Sequence, residues 1–230
     1  TDIPKVVGAD APESRDAAAH LYQTIVSRVV PVSSSRAAEA TKMLENTFRA
    51  VNIALVNELK VAFEAMDIDI REVVEAAATK PFGFMRFDPG PGLGGHCIPI
   101  DPFYMAWQAQ QFGVPTRLIE AAGEINAAMP ERVVQRTALA LADRGGRLDG
   151  SRILLIGMAY KKNVDDVREA PALRLMEQFE ARGARVAYHD PLVPTVPPTR
   201  DHAVLAGRTS VALDHLEHYD AVVVVTDHDD

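Results

Sequence analysis

The sequence predicts an α/β fold: an all-helical central domain followed by a Rossmann-like α/β domain, preceded by a short α/β lead segment. Three observations predict it. From Arg36 to Met66 the chain has few helix breakers, and Met43, Thr47, Val51, Ala54, Leu55, Leu59, Ala62 and Met66 follow the 3–4 spacing of one helical face. Arg152–Ile156 is a continuous apolar run, the pattern of a parallel strand buried on both faces. Beyond it, helical and strand-like stretches alternate, as in crossover-connected parallel strands.

The elements follow in order through three zones, residues 1–32, 33–146 and 147–230. The first holds a short strand (Lys5–Val7), a helix after Pro12 and a second strand (Arg28–Val32). Fewer than about 40 residues rarely bury a core unaided, so this zone reads as the remnant of a larger domain. The second opens on the N-capping cluster Ser33, Ser34 and Ser35. At about 1.5 Å per residue the helix it starts spans on the order of 45 Å, a length suited to a domain spine or a dimer interface. A shorter helix runs from Asp69 to Ala78, and Pro81–Pro102, rich in Gly and Pro, reads as a loop. Asp101 as N-cap with Pro102 at the first helical position marks the next start. Pro130 is expected to separate a helix over Arg117–Ala128 from one over Glu131–Arg144. In the third zone strands are expected at Arg152–Ile156, Arg185–His189 and Ala221–Thr226, with a helix over Pro171–Arg182.

Composition excludes several function classes. With 24 Lys and Arg against 32 Asp and Glu the formal charge is −8, which argues against a nucleic-acid partner. A hydrophobic fraction of 47% is too high for a disordered chain, yet no apolar run approaches the roughly 18–20 residues that span a bilayer. A single cysteine, Cys97, excludes an internal disulfide and a Cys-based zinc site, and no metal is expected. The start at Thr1 carries no charged n-region or apolar h-region, so a cytoplasmic setting is expected.

Three segments carry candidate chemistry. Gly90–Gly95 satisfies G-x-G-x-x-G but lacks the preceding strand and following helix of a dinucleotide fingerprint. Its five Gly and Pro in six residues suit close approach of backbone amides to a ligand, or a structural turn. Directly after it comes His96-Cys97-Ile98-Pro99-Ile100-Asp101. A lone cysteine is commonly a small buried hydrophobe. A polar, glycine-lined loop ending at a helix start is also where a thiolate is stabilised as a nucleophile. Asp101 fits first a helix cap, which still leaves one carboxylate oxygen free to act as a proton acceptor, and the role of His96 stays open. On the long helix, Lys42 and Asn46 share a face at i, i+4, either as ordinary surface residues or as fixed donors to a developing oxyanion. After the first buried strand, where open α/β sheets place ligands, Lys161, Lys162 and Arg168 offer charge to a phosphate or form a solvated basic turn.

Together, Lys42–Asn52 through Glu58, Gly90–Asp101 and Gly157–Pro171 resemble the nucleotide-sugar 6-dehydrogenases, and the resemblance covers essentially the whole chain. The resemblance implies an NAD-dependent, two-step oxidation of a sugar C6 hydroxyl to an acid. Cys97 resembles the nucleophile that captures the aldehyde as a thiohemiacetal and then carries a thioester. Lys42 and Asn46 match the pair that steadies the C6 oxygen and positions water, and Asp101 the carboxylate of proton transfer. Gly92, Leu93 and Gly94 match the loop along the sugar nucleotide, Tyr160 and Lys161 its UDP contacts, and Arg168 a residue approaching NAD. The implied partners are a UDP-sugar and a second copy of the chain, paired through the central helices. The family's NAD glycine motif, its catalytic Glu and its last nucleotide-binding Arg are not found in these 230 residues, so the chain alone is expected to be catalytically silent. Phe82–Met85 and Pro89–Gly92 look most like the UDP-N-acetylglucosamine subgroup, while Arg86 and Asp88 depart from its pattern. UDP-glucose and UDP-N-acetylmannosamine are the alternative substrates. A non-catalytic module that binds nucleotide sugar or only dimerises is the alternative class; a cysteine hydrolase would need a His base, and only His96 stands near.

Overall fold

A computed structural model describes residues 2–229. The chain divides into two compact units, Thr1–Phe48 and Arg49–Asp230. In the first, β1 (Lys5–Gly8) and β2 (Val29–Val32) pair in parallel, Lys5 opposite Val29 and Gly8 opposite Val32, with α1 (Pro12–Gln23) connecting them. Pro12 opens α1 because its missing N–H would have had no helical acceptor. Glycine is required at position 8, since a Cβ there would lie 2.0 Å from the Ser34 carbonyl oxygen. Ser34 then caps α2 (Ser35–Ala65), its hydroxyl accepting the Ala37 N–H at 3.1 Å.

The second unit takes the later turns of α2 and adds α3 (Ile70–Ala78), α4 (Asp101–Gln110) and α5 (Arg117–Ala142). Asp69 caps α3 as expected, accepting the Arg71 N–H at 2.9 Å. Two expectations are corrected. Asp101 is not the N-cap: α4 begins at Asp101 itself, and the residue at the cap position is Ile100, whose side chain makes no capping hydrogen bond. The turn Cys97–Ile100 prepares the start, because the Cys97 carbonyl accepts both the Ile100 and Asp101 amides, at 3.1 and 2.8 Å. Nor does Pro130 separate two helices; it lies inside one helix of 26 residues. A proline there costs about 3 kcal/mol through its lost hydrogen bond and ring clash. Burial of Ala122, Met129, Val134 and Leu141 along the same helix outweighs that cost.

A three-stranded parallel sheet of order β4-β3-β5 completes the unit: β3 (Arg152–Ile156), β4 (Arg185–His189) and β5 (Ala221–Val224). Leu154 of β3 stands opposite Ala187 of β4 and Val222 of β5. The connection from β3 to β4 contains α6 (Pro171–Glu180), whose Leu173, Leu175, Met176 and Phe179 are buried with Ile153, Leu155 and Tyr188. Each such side chain contributes roughly 1.5–3 kcal/mol by leaving water. Val134 and Leu141 of α5 join the same cluster, so helical and sheet portions share one core. Among the described residues, no helix is long and apolar enough to cross a membrane.

Candidate active site

The Gly/Pro loop between α3 and α4 has no regular structure of its own, and its order is borrowed from three places. At its start the Gly90 N–H donates at 2.9 Å to Asn57 Oδ1, on α2. Asn57 in turn donates to Asn126 Oδ1 at 3.0 Å, and Asn126 donates to the Ala50 carbonyl at 2.9 Å. Both asparagines are buried, so this chain of amides satisfies polar groups that would be costly alone. In its middle, Gly92 (φ +133°) lies against Asn126 and Pro130 of α5, with 3.5–3.7 Å to the atoms a Cβ would meet. Near its end, Gly94 and Gly95 are packed on Tyr160. A Cβ at Gly95 would stand 2.8 Å from the Tyr160 ring, and the Gly95 N–H donates to the Arg168 carbonyl at 3.0 Å.

The predicted substrate loop and the predicted phosphate turn are therefore seated on one another within one unit. Cys97 is partly exposed just beyond this contact, and Asp101 is buried one turn on. Leu93 is half-buried, and His96 is exposed. The turn after β3 is shaped by Asp166, whose backbone carbonyl accepts the Tyr160 N–H at 2.9 Å. The Asp166 carboxylate binds the Arg168 backbone N–H at 2.9 Å and its guanidinium at 2.6–3.0 Å. The Arg168 hydrogen bond holds the Asp166 carboxyl below the usual range, with a smaller contribution from His96. Arg168 is correspondingly pushed up, first by Asp166 and to a lesser degree by the nearby Tyr160 and Cys97. The thiol, the phenol ring and the guanidinium thus share one electrostatic neighbourhood.

The two lysines of the turn differ. Lys162 is engaged with Asp229 at 2.6 Å, whereas Lys161 is exposed and forms no ion pair among the described residues. Arg86 and Asp88 pair with each other at 3.0 Å on the exposed part of the loop. Lys42 and Asn46 stand one turn apart on α2, Lys42 exposed and Asn46 buried, and both belong to the first unit.

Sequence reasoning missed the residues that hold this site rather than line it. Asn57 and Asn126 sit within helical stretches whose apolar pattern masks single buried amides. Asp190 had a signal, an acid directly after β4 and before Pro191, at the sheet edge where ligands bind. Its carboxylate accepts the amides of Met158 and Ala159 on one oxygen, at 2.6 and 2.9 Å, and those of Leu192 and Val193 on the other, at 2.8 and 2.9 Å.

Residues 36–128 match the central domain, and 154–230 the UDP binding domain, of the UDP-glucose/GDP-mannose dehydrogenase family. The chain belongs to that family. It is 34% identical over 99% of its length to a UDP-N-acetyl-D-glucosamine 6-dehydrogenase of Pseudomonas aeruginosa, of which it covers 53%. It is 31% identical over 98% of its length to a UDP-N-acetyl-D-mannosamine dehydrogenase of Methanocaldococcus jannaschii, of which it covers 48%. Among solved structures, a UDP-D-ManNAc dehydrogenase from Pyrococcus horikoshii superposes with a TM-score of 0.86 at 30% identity, over all of this chain and 51% of that one. The chain spans about half the length of the relatives it matches.

Proposed function

We propose that this chain is the substrate-handling part of an NAD-dependent dehydrogenase that oxidises the C6 hydroxyl of a UDP-N-acetylhexosamine, UDP-N-acetylglucosamine foremost, to the uronic acid. The observation that carries this reading is the seating of Gly94 and Gly95 on Tyr160, which joins the thiol loop to the turn bearing Lys161. In the proposed roles, Tyr160 and Lys161 contact the UDP moiety and Gly92–Gly94 line the sugar. Residues 33–146 act as the catalytic and dimerising domain, and 147–230 as the UDP-binding domain. Lys161, exposed and unpaired among the described residues, suits a diphosphate as a point charge.

The residues present do not form a dinucleotide cradle for NAD. Gly157, the glycine of the turn directly after β3, is closed off by Thr226, since a Cβ there would meet the Thr226 carbonyl oxygen at 2.1 Å. The Gly90–Gly95 run is occupied with Asn57, Pro130 and Tyr160. Arg168 alone is assigned to face the cofactor. The chemistry assigned to the chain itself is covalent. The Cys97 sulfur adds to the C6 aldehyde as its proton passes to the oxygen; with NAD as the oxidant, that adduct would lose hydride and a proton to become a thioester, which water cleaves to the acid and the free thiol. Lys42 and Asn46 donate to the C6 oxygen, and Asp101 accepts the proton of the attacking water. Leu44, Phe48 and Leu55, exposed along one side of α2, support a homodimer through that helix.

In a polypeptide extending this chain to the length of its relatives, two NADH are expected per UDP-sugar, and Cys97→Ser is expected to abolish acid formation. Full turnover by that variant would remove Cys97 from the reaction. For the 230-residue chain, calorimetric titration with UDP is expected to give saturable heat; none would favour a dimerisation module.

A further inference from the structure

Three loops leave the carboxyl edge of the β4-β3-β5 sheet, and one imidazole, on the loop after β5, touches the other two. His228, on the segment after β5, has a side chain only 4% exposed. Its Nδ1 accepts the backbone N–H of Asn163, in the loop after β3, at 3.0 Å. Its Nε2 faces Asp190 Oδ2, after β4, at 3.2 Å. An ionised carboxylate only accepts and a backbone amide only donates, so one form of the ring satisfies both neighbours: neutral imidazole with its proton on Nε2. The Asp190 carboxylate is kept ionised by four backbone amides, including those of Met158 and Ala159 just before Tyr160. Asn163 sits at φ +60°, a conformation that needs support from its surroundings. Asp229 adds that support, pairing with Lys162 at 2.6 Å and with the Asn163 side chain, whose Oδ1 accepts the Asp229 N–H at 3.1 Å.

We propose that His228 is a positioning residue for nucleotide binding: as the Nε2–H tautomer it ties Asn163 to Asp190 and so fixes the Tyr160–Lys161 turn between two anchored ends. This rests on the reading of that turn as the UDP contact. It assigns to a residue outside the three recognised segments the task of holding one of them in its binding shape, so that ordering entropy is not paid when the nucleotide arrives.

The tautomer is measurable in the 230-residue chain from imidazole nitrogen shifts, and the Asn163 tie from amide hydrogen exchange. His228→Asn keeps an acceptor near the Nδ1 position, whereas His228→Gln keeps a donor near Nε2. The expected result is a proton on Nε2 near neutral pH. Asn163 exchange should stay slow in the wild type and in His228→Asn and become roughly tenfold faster in His228→Gln. UDP affinity should fall about tenfold in His228→Gln and less in His228→Asn. A proton on Nδ1, or unchanged Asn163 exchange and UDP affinity in both variants, would overturn the proposal. Absence of UDP binding by the wild type overturns the functional reading instead, and the tautomer and exchange data then decide the tie alone.

Discussion

A Cβ placed on Gly94 would stand 2.6 Å from the Cβ of Tyr160, closer than two such carbons approach. The contact is with the root of the tyrosine rather than with its ring, so no rotamer change relieves it. Gly94→Ala is therefore expected to lift the thiol loop off the turn after β3. The cost should be about 1–3 kcal/mol, as for other overpacked contacts. Thermal unfolding and the rate of Cys97 alkylation check this: a lower midpoint and a faster reaction are expected, and a variant matching the wild type in both would mean that the two segments are not coupled.

Asn57 predicts a larger effect than its neutral side chain suggests. It is fully buried, donates to Asn126 and accepts from Gly90. Asn57→Ala leaves the Gly90 N–H and the Asn126 carbonyl without this partner, at about 1–3 kcal/mol for each orphaned group. Urea unfolding should show a correspondingly lower midpoint, with Asn126→Ala non-additive because the two share one network. Strict additivity of the pair would refute the network.

Asp190 sets an acid limit on stability. Burial raises its carboxyl, but hydrogen bonds from the amides of Ala159, Met158 and Leu192, together with nearby His228, more than offset this and hold it below the usual carboxylate range. A depressed folded value contributes stability that is fully present above the unfolded value, about 3.9, and is lost as pH falls through the folded value. Urea midpoints measured downward from pH 6 should drop below about pH 4. Asp190→Asn should lower stability by about 3 kcal/mol near neutral pH and by less toward acid, and so flatten part of that acid fall. An unchanged acid slope in the variant would assign the effect to other carboxylates.

Tyr188 marks the alkaline side. Its hydroxyl faces the carbonyls of Val193 and Arg208 at 3.0 and 3.1 Å, so an ionised phenolate would meet two oxygens. Burial first, and the Asp190 charge second, push it up to about 12. Stability from this group is complete below the unfolded value near 10 and declines as pH rises from there toward 12. In an ultraviolet titration of the five tyrosines, Tyr188 should ionise last, together with unfolding. Tyr188→Phe should remove that final step; its persistence would move the assignment to another tyrosine.

The fold was legible where pattern and energy agree. Arg152–Ile156 is a strand over the residues expected because a central parallel strand needs continuous apolar sequence, and Arg185–His189, at the sheet edge, is one too. Pro130 misled because a local rule for proline cannot register the burial on either side of it. Within the second unit, Gly92, Leu93, Gly94, Cys97 and Asp101 were readable as one loop and its exit, since the signal lay in adjacent residues. Tyr160 had a signal too, its place after a buried strand. The partners that hold them were not readable: Asn57 is 33 residues from Gly90, and His228 is 65 from Asn163. A hydrogen bond across such a separation leaves no period in the sequence.

Because Gly90, Gly92 and Gly95 take their order from α2, α5 and the turn after β3, the Cys97 loop is expected to be among the last parts of the second unit to settle. Every anchor must be in place before the loop has one shape. A nascent or partly unfolded chain therefore carries an ordinary, freely moving thiol, and its surroundings are assembled only on completion of the surrounding structure. Labelling of Cys97 during refolding would thus time the finish of folding rather than its onset.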